Sequence, residues 1–156
     1  MSDQPPACSL PLIGWREWVA LPELGLPCLK AKIDTGARSS ALHAFGIEML
    51  EKNGGAITHF CVHPRQRRTD ETVSATAPLL DWRDVRSSSG SSQRRPTIRT
   101  VVQLGDWQWP IELTLANREL MGFRLLLGRE AVRQRFWIDA GRSYLQGDRP
   151  RLDSTL

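Results

Sequence analysis

The sequence predicts an all-β domain, a small barrel or sandwich of about nine short strands with one short helix near the C-terminus. Three observations carry this. Pro and Gly recur so often that few stretches are long enough for a helix. Apolar and polar residues alternate over several runs, the period of a half-buried strand. Turn signals, Asn53-Gly54-Gly55 and Gly105-Asp106, fall between such runs.

Taken in order, residues 12–19 read as a first strand, and Pro22, Gly25 and Pro27 make a turn-rich connection. Residues 29–33 alternate apolar and basic and run into Asp34-Thr35-Gly36. Strands are expected at 41–45 and 47–52, returning after the Asn-Gly turn at 57–63. Residues 65–71 read as a solvated loop and 72–80 as a short strand and turn. The Ser-rich stretch within 85–98 fits either a disordered linker or a long mobile hairpin. Residues 98–104 and 107–115 form the clearest hairpin. The apolar run 123–127 suggests a strand buried on both faces. A helix is expected at 130–135, with closing strands at 136–139 and 143–146.

The chain has 156 residues, enough for one domain that buries roughly 68–70% of its unfolded surface without staples. The expected domain is 10–146, with 1–9 and 147–156 as flexible tails. No apolar run approaches the ~20 residues of a membrane span, so no membrane partner is expected. Residues 1–6 lack a basic and apolar leader pattern, and Cys8, Cys28 and Cys61 show no CxxC spacing. A cytoplasmic, reducing setting follows as the expectation. The net charge is +4, and of 21 basic residues only Lys30, Lys32 and Lys52 are lysines. Such an arginine excess points to an anionic partner, because the guanidinium fork matches carboxylate and phosphate.

Chemistry centres on residues 31–42. A strand ends in an acid, then a hydroxyl, then a glycine that allows a tight turn. Thr35 is expected to tie the turn down through its hydroxyl. Aspartic peptidases use this arrangement twice, with two carboxylates sharing a proton across a symmetry axis. One such triplet per chain would require a homodimer. A second element, Leu125-Leu126-Leu127-Gly128-Arg129, resembles the apolar-Gly-Arg segment that retroviral-type aspartic peptidases carry before their C-terminal helix.

The whole chain resembles the bacterial retropepsin-like family that bears the label "ATP-dependent zinc protease" and is associated with RimK-type ATP-grasp ligases, which add glutamate to a ribosomal protein. The resemblance rests on Ile13-Gly14-Trp15-Arg16-Glu17, Lys32-Ile33-Asp34-Thr35-Gly36-Ala37-Arg38, Ser40-Ala41-Leu42-His43-Ala44 and His63-Pro64. It continues through Val85-Arg86-Ser87-Ser88, Arg95-Pro96, Leu113-Thr114-Leu115, Asn117-Arg118 and Leu126-Leu127-Gly128-Arg129. It implies a closed retropepsin-like barrel with Asp34, Thr35 and Gly36 as the catalytic turn. Ala37, Arg38, Ser39 and Arg129 would contact a peptide or protein substrate. Residues 86–95 would take the place of a flap.

The label's zinc and ATP find no support in the residues. There is no HExxH helix, and His59, Cys61 and His63 share one strand face without the spacing of a catalytic zinc site. No GxxxxGK[ST] loop is present. Neither metal nor cofactor is therefore expected. Arg38 stands where viral relatives place an acid. It would lower the Asp34 pKa, clamp a substrate carboxylate, or bridge to Glu17 or Glu48. Arg16, Lys30, Lys32, Arg38, Arg124 and Arg129 flank the turn and together suggest an electropositive cleft for an acidic, glutamate-tailed peptide. The alternative is a regulatory binding module for the ligase with little turnover. Six tryptophans beside many arginines raise nucleic acid as a third reading. No RNP, OB or helix-turn-helix signature accompanies them, and tryptophans at strand spacing are expected in the core.

Overall fold

The computed structural model describes residues 9–147 apart from 66, 67, 87, 88, 119 and 121. The described residues form ten strands: β1 (Leu12–Leu21), β2 (Leu26–Asp34), β3 (Ser40–His43), β4 (Phe45–Lys52), β5 (Gly55–Val62), β6 (Val73–Arg86), β7 (Ser92–Leu104), β8 (Trp107–Ala116), β9 (Leu125–Gly128) and β10 (Trp137–Ser143). A single α-helical turn, α1 (Arg129–Val132), follows β9, and a 3-10 turn spans Pro22–Leu24.

The strands form one sheet in the order β10-β1-β2-β9-β3-β8-β7-β6-β5-β4. It closes on itself where Ala20 of β1 meets Gln103 of β7. Six strands therefore make a closed barrel: β1, β2, β9, β3, β8 and β7. β10 is added on β1, and β6, β5 and β4 continue outward from β7. Alternation sets which residues fill the barrel. Leu29, Ala31 and Ile33 point into the main core, with Leu42, Ile98, Leu113, Leu115, Leu125 and Leu127. Burying one of these aliphatic side chains contributes about 1.5–3 kcal/mol. No helix among the described residues is long and apolar enough to cross a membrane.

Several expectations are corrected. β1 and β2 run further than expected, and the 41–52 segment breaks at Ala44, where β3 leaves the barrel for β4. The short strand expected at 72–80 is a 14-residue strand, because β6 pairs first with β5 and then with β7. The Ser-rich stretch belongs to a hairpin rather than a linker, with Val85 opposite Gln93 and Arg86 opposite Ser92. Ser87 and Ser88 lie outside the described residues, as do residues 1–8 and 148–156 of the expected tails. The expected helix shrinks to α1, since Gln134 takes a left-handed backbone (φ 63°) soon after. The two closing strands are one, β10, paired in parallel with β1. The Asn53-Gly54 hairpin forms as expected, with both residues at positive φ (53° and 80°), as a two-residue turn requires.

Tryptophan is not mainly a core residue here. Trp109 is buried, whereas Trp82, Trp107 and Trp137 are exposed. Trp18 stacks on Tyr144 at 5.3 Å, and the Arg16 guanidinium lies over both Trp15 and Tyr144. These contacts fasten the segment after β10 to β1.

Candidate functional site

β2 ends at Asp34, on the outward phase shared with Lys30 and Lys32, and the chain turns at once. The carboxylate is half-buried. Its Oδ1 accepts the Gly36 N–H at 3.0 Å, and the Asp34 carbonyl accepts the Ala37 N–H at 3.2 Å. Thr35, Gly36 and Arg38 are exposed, while Ala37 and Ser39 are half-buried. The acid thus sits at a strand tip on a turn closed by its own hydrogen bonds.

The turn is held from the far end of the chain. β9 runs parallel to β2, with Gly128 opposite Asp34, and antiparallel to β3. The Gly128 N–H donates to Ser40 Oγ at 3.0 Å. Arg129 N–H donates to the Ala37 carbonyl at 2.7 Å and Glu130 N–H to that of Arg38 at 3.1 Å. The first amides of α1, which have no partner within a helix, therefore clamp the turn. A Cβ on Gly128 would stand 2.4 Å from the Ser39 carbonyl oxygen, so only glycine lets β9 approach this closely. Arg129 Nη1–H donates to the Thr35 carbonyl at 2.9 Å. It is this carbonyl, not the Thr35 hydroxyl, that ties the turn down.

Of the six basic residues expected around the site, Arg16, Lys30, Arg124 and Arg129 make contacts that hold the fold together. Arg124 is buried and donates to His43 Nδ1 at 2.8 Å and to the carbonyls of Arg65 and Arg68. Arg16 and Lys30 lie over aromatic rings, and Arg129 braces Thr35. Arg38 is exposed, with no ion pair among the described residues. A bridge to Glu17 is excluded. Glu17 is fully buried and accepts the N–H groups of Gly14, Leu145 and Gln146 at 2.7, 2.9 and 3.1 Å.

His63 packs on Phe45 and places Nδ1 3.0 Å from the Glu71 carbonyl, and Cys61 Sγ lies 3.7 Å from Ser74 Oγ. Among the described residues no group of three His, Cys, Asp or Glu side chains is arranged to hold a metal ion.

Sequence reasoning missed the structural roles of Glu17, Ser40 and Arg124. Glu17 carried a signal: it falls in the inward phase of β1 with Ile13, Val19 and Leu21, where a charge needs several donors.

A closed six-stranded barrel with an acid turn clamped by an apolar-Gly-Arg strand is the retropepsin-like arrangement. The chain belongs to the RimB-like family, described as retropepsin-like aspartic endopeptidase RimB, whose model matches residues 12–149. It is also similar to a protein named probable alpha-L-glutamate ligase in Parasynechococcus marenigrum (strain WH8102), 44% identical over 137 residues. That match covers 88% of this chain and 29% of the relative. A protein of the same name in Shewanella pealeana (strain ATCC 700345 / ANG-SQ1) is 39% identical over 142 residues, covering 91% and 31%. The chain thus spans under a third of the length of the curated relatives it matches. Among solved structures, a Legionella pneumophila protein of unknown function is similar with a TM-score of 0.73 and 28% identity, over 87% of this chain and 98% of that one.

Proposed function

We propose that the protein is an aspartic-type endopeptidase in which two copies each contribute Asp34 to one site, and that its substrate is an acidic peptide. One observation carries the reading: a half-buried carboxylate on a strand-tip turn that is clamped by backbone amides from β9 and α1. Each chain supplies a single such turn, so a dyad needs a second copy.

In that dyad the two carboxylates share one proton, because two charges about 3 Å apart cannot both ionise. The ionised Asp34 takes a proton from water as the water oxygen attacks the peptide carbonyl carbon. The protonated partner gives its proton to the carbonyl oxygen. The tetrahedral species then collapses, the C–N bond breaks, and a proton passes to the leaving amine. Ala37, Arg38 and Ser39 border the turn and would contact the peptide backbone and its acidic side chains. A glutamate-tailed ribosomal protein fits the arginine-rich charge, and the ligase names of the relatives support an ATP-grasp ligase as functional partner.

The test is to mix wild-type chains with Asp34→Asn chains. A shared site requires cleavage to vary as the square of the wild-type fraction, so equal mixing halves the activity per wild-type chain. Linear dependence would mean that one chain suffices. An active Asp34→Asn homodimer would end the assignment.

A second reading is favoured by the relatives' length. Their matching segment is part of a longer protein named as a ligase, which suits a regulatory binding module. It requires that Asp34→Asn stimulate a glutamate ligase as well as wild type does.

A further inference from the structure

Among the described residues, Arg95 is a buried charge without an acid. It is 7% exposed, and its one hydrogen bond among the described residues is from Nε–H to Gln93 Oε1 at 2.9 Å. The nearby acids Asp81 and Glu112 are paired with Arg83. A guanidinium has five N–H donors, and proteins rarely bury a charge with so few of them engaged. Burial, and then the charge of Arg118, both lower the Arg95 pKa, so the charge that acts on Arg95 from its surroundings is that of another cation. Two residues along β7, on the same strand face, Thr97 is fully buried and its hydroxyl has no partner among the described residues.

Strand register places this cluster relative to the acid turn. Thr97 is opposite Thr114 of β8, and Thr114 is opposite Ala41 of β3. All three lie away from the main core, which is filled by their neighbours Ile98, Leu113 and Leu42. Ala41 belongs to a small outer cluster against which Ala37 of the acid turn packs. At about 4.8 Å per strand, Thr97 is roughly 10 Å from Ala41, the reach of about three extended peptide residues.

We propose that Arg95, Arg118 and the Thr97 hydroxyl form a carboxylate-binding subsite that seats an acidic side chain of a peptide held at Asp34. Gln93 takes the Nε–H, which leaves both terminal amino groups of Arg95 for bidentate binding. The inference rests on the peptidase reading for its peptide, but its residues differ from those that would do the chemistry.

The experiment is calorimetric titration of the Asp34→Asn chain with a tetraglutamate peptide blocked at both ends, and with its tetraglutamine counterpart. Blocked ends leave only side chains to be recognised. The glutamate peptide is expected to bind more tightly. Arg95→Gln and Arg118→Gln each weaken it about 10- to 100-fold without changing glutamine binding, the range set by a lost hydrogen bond to a charged group. Thr97→Val reduces the same preference. If Arg95→Gln does not fold, the other two variants decide. An undiminished glutamate preference in the folded variants, or no preference at the outset, overturns the subsite. Failure of the peptidase reading would look different: wild type would bind tetraglutamate with the same Arg95 dependence and leave it uncut.

Discussion

The Arg129 guanidinium reaches the Thr35 carbonyl at 2.9 Å, joining residues 94 positions apart across the acid turn. The side chain is exposed, so this bond contributes at most about 1 kcal/mol to stability. Its effect on geometry is larger, because displacing a catalytic group by about 1 Å costs roughly 10²-fold in rate. Arg129→Met is expected to move the urea midpoint only slightly while lowering kcat/KM at least about tenfold. A proportional loss of both would show that Arg129 is only a stability contact.

Gly128→Ala sets a methyl group 2.4 Å from the Ser39 carbonyl oxygen and 2.9 Å from that of Arg38, both backbone atoms that cannot rotate away. β9 must separate from the turn, at a cost of about 2–3 kcal/mol, and cleavage should disappear. Gly55→Ala is the matched control. Its nearest neighbour is 3.8 Å away, so stability should stay within about 0.5 kcal/mol of wild type. Paired urea titrations check both.

Glu17→Gln replaces an acceptor of three N–H bonds with a group that has one acceptor oxygen and two donors of its own. Buried donors at Gly14, Leu145 and Gln146 then compete for one oxygen or go unmet. A loss of about 2–3 kcal/mol is expected, with earlier proteolysis near residues 144–147 than elsewhere. Limited proteolysis followed by mass analysis reads the second effect.

Burial raises the Tyr144 phenol above its ordinary value by more than the charge of Arg16 lowers it, with Glu17 adding to the rise. The folded chain therefore keeps this proton to higher pH than the unfolded chain does. The associated stability is complete below about pH 10 and is lost as pH climbs through the folded-state value. Tyr144→Phe keeps a ring to stack on Trp18 and removes the titration. Thermal melts from pH 8 to 11 should fall more steeply at the alkaline end for wild type than for the variant.

The barrel was legible because period-two alternation and Asn-Gly or Gly-Asp turns are local signals, as at Leu29–Ile33 and Asn53-Gly54. The acid turn and its apolar-Gly-Arg partner were legible as motifs. What escaped depends on pairing across the chain. Nothing near Val73 says that β6 changes partner halfway and so runs to 14 residues. The flanking basic residues looked alike in sequence, yet Arg124 is enclosed by three acceptors while Arg38 stands in solvent. Thr35 looked like a hydroxyl tie because side chains are visible in sequence and carbonyls are not.

Placement of β9 between β2 and β3 has a consequence for biosynthesis. The ribosome makes Asp34 early, but the strand and amides that immobilise it are translated about ninety residues later. A nascent or prematurely terminated chain carries the acid without its mould. The turn takes its clamped form only once residues 125–130 have paired with it.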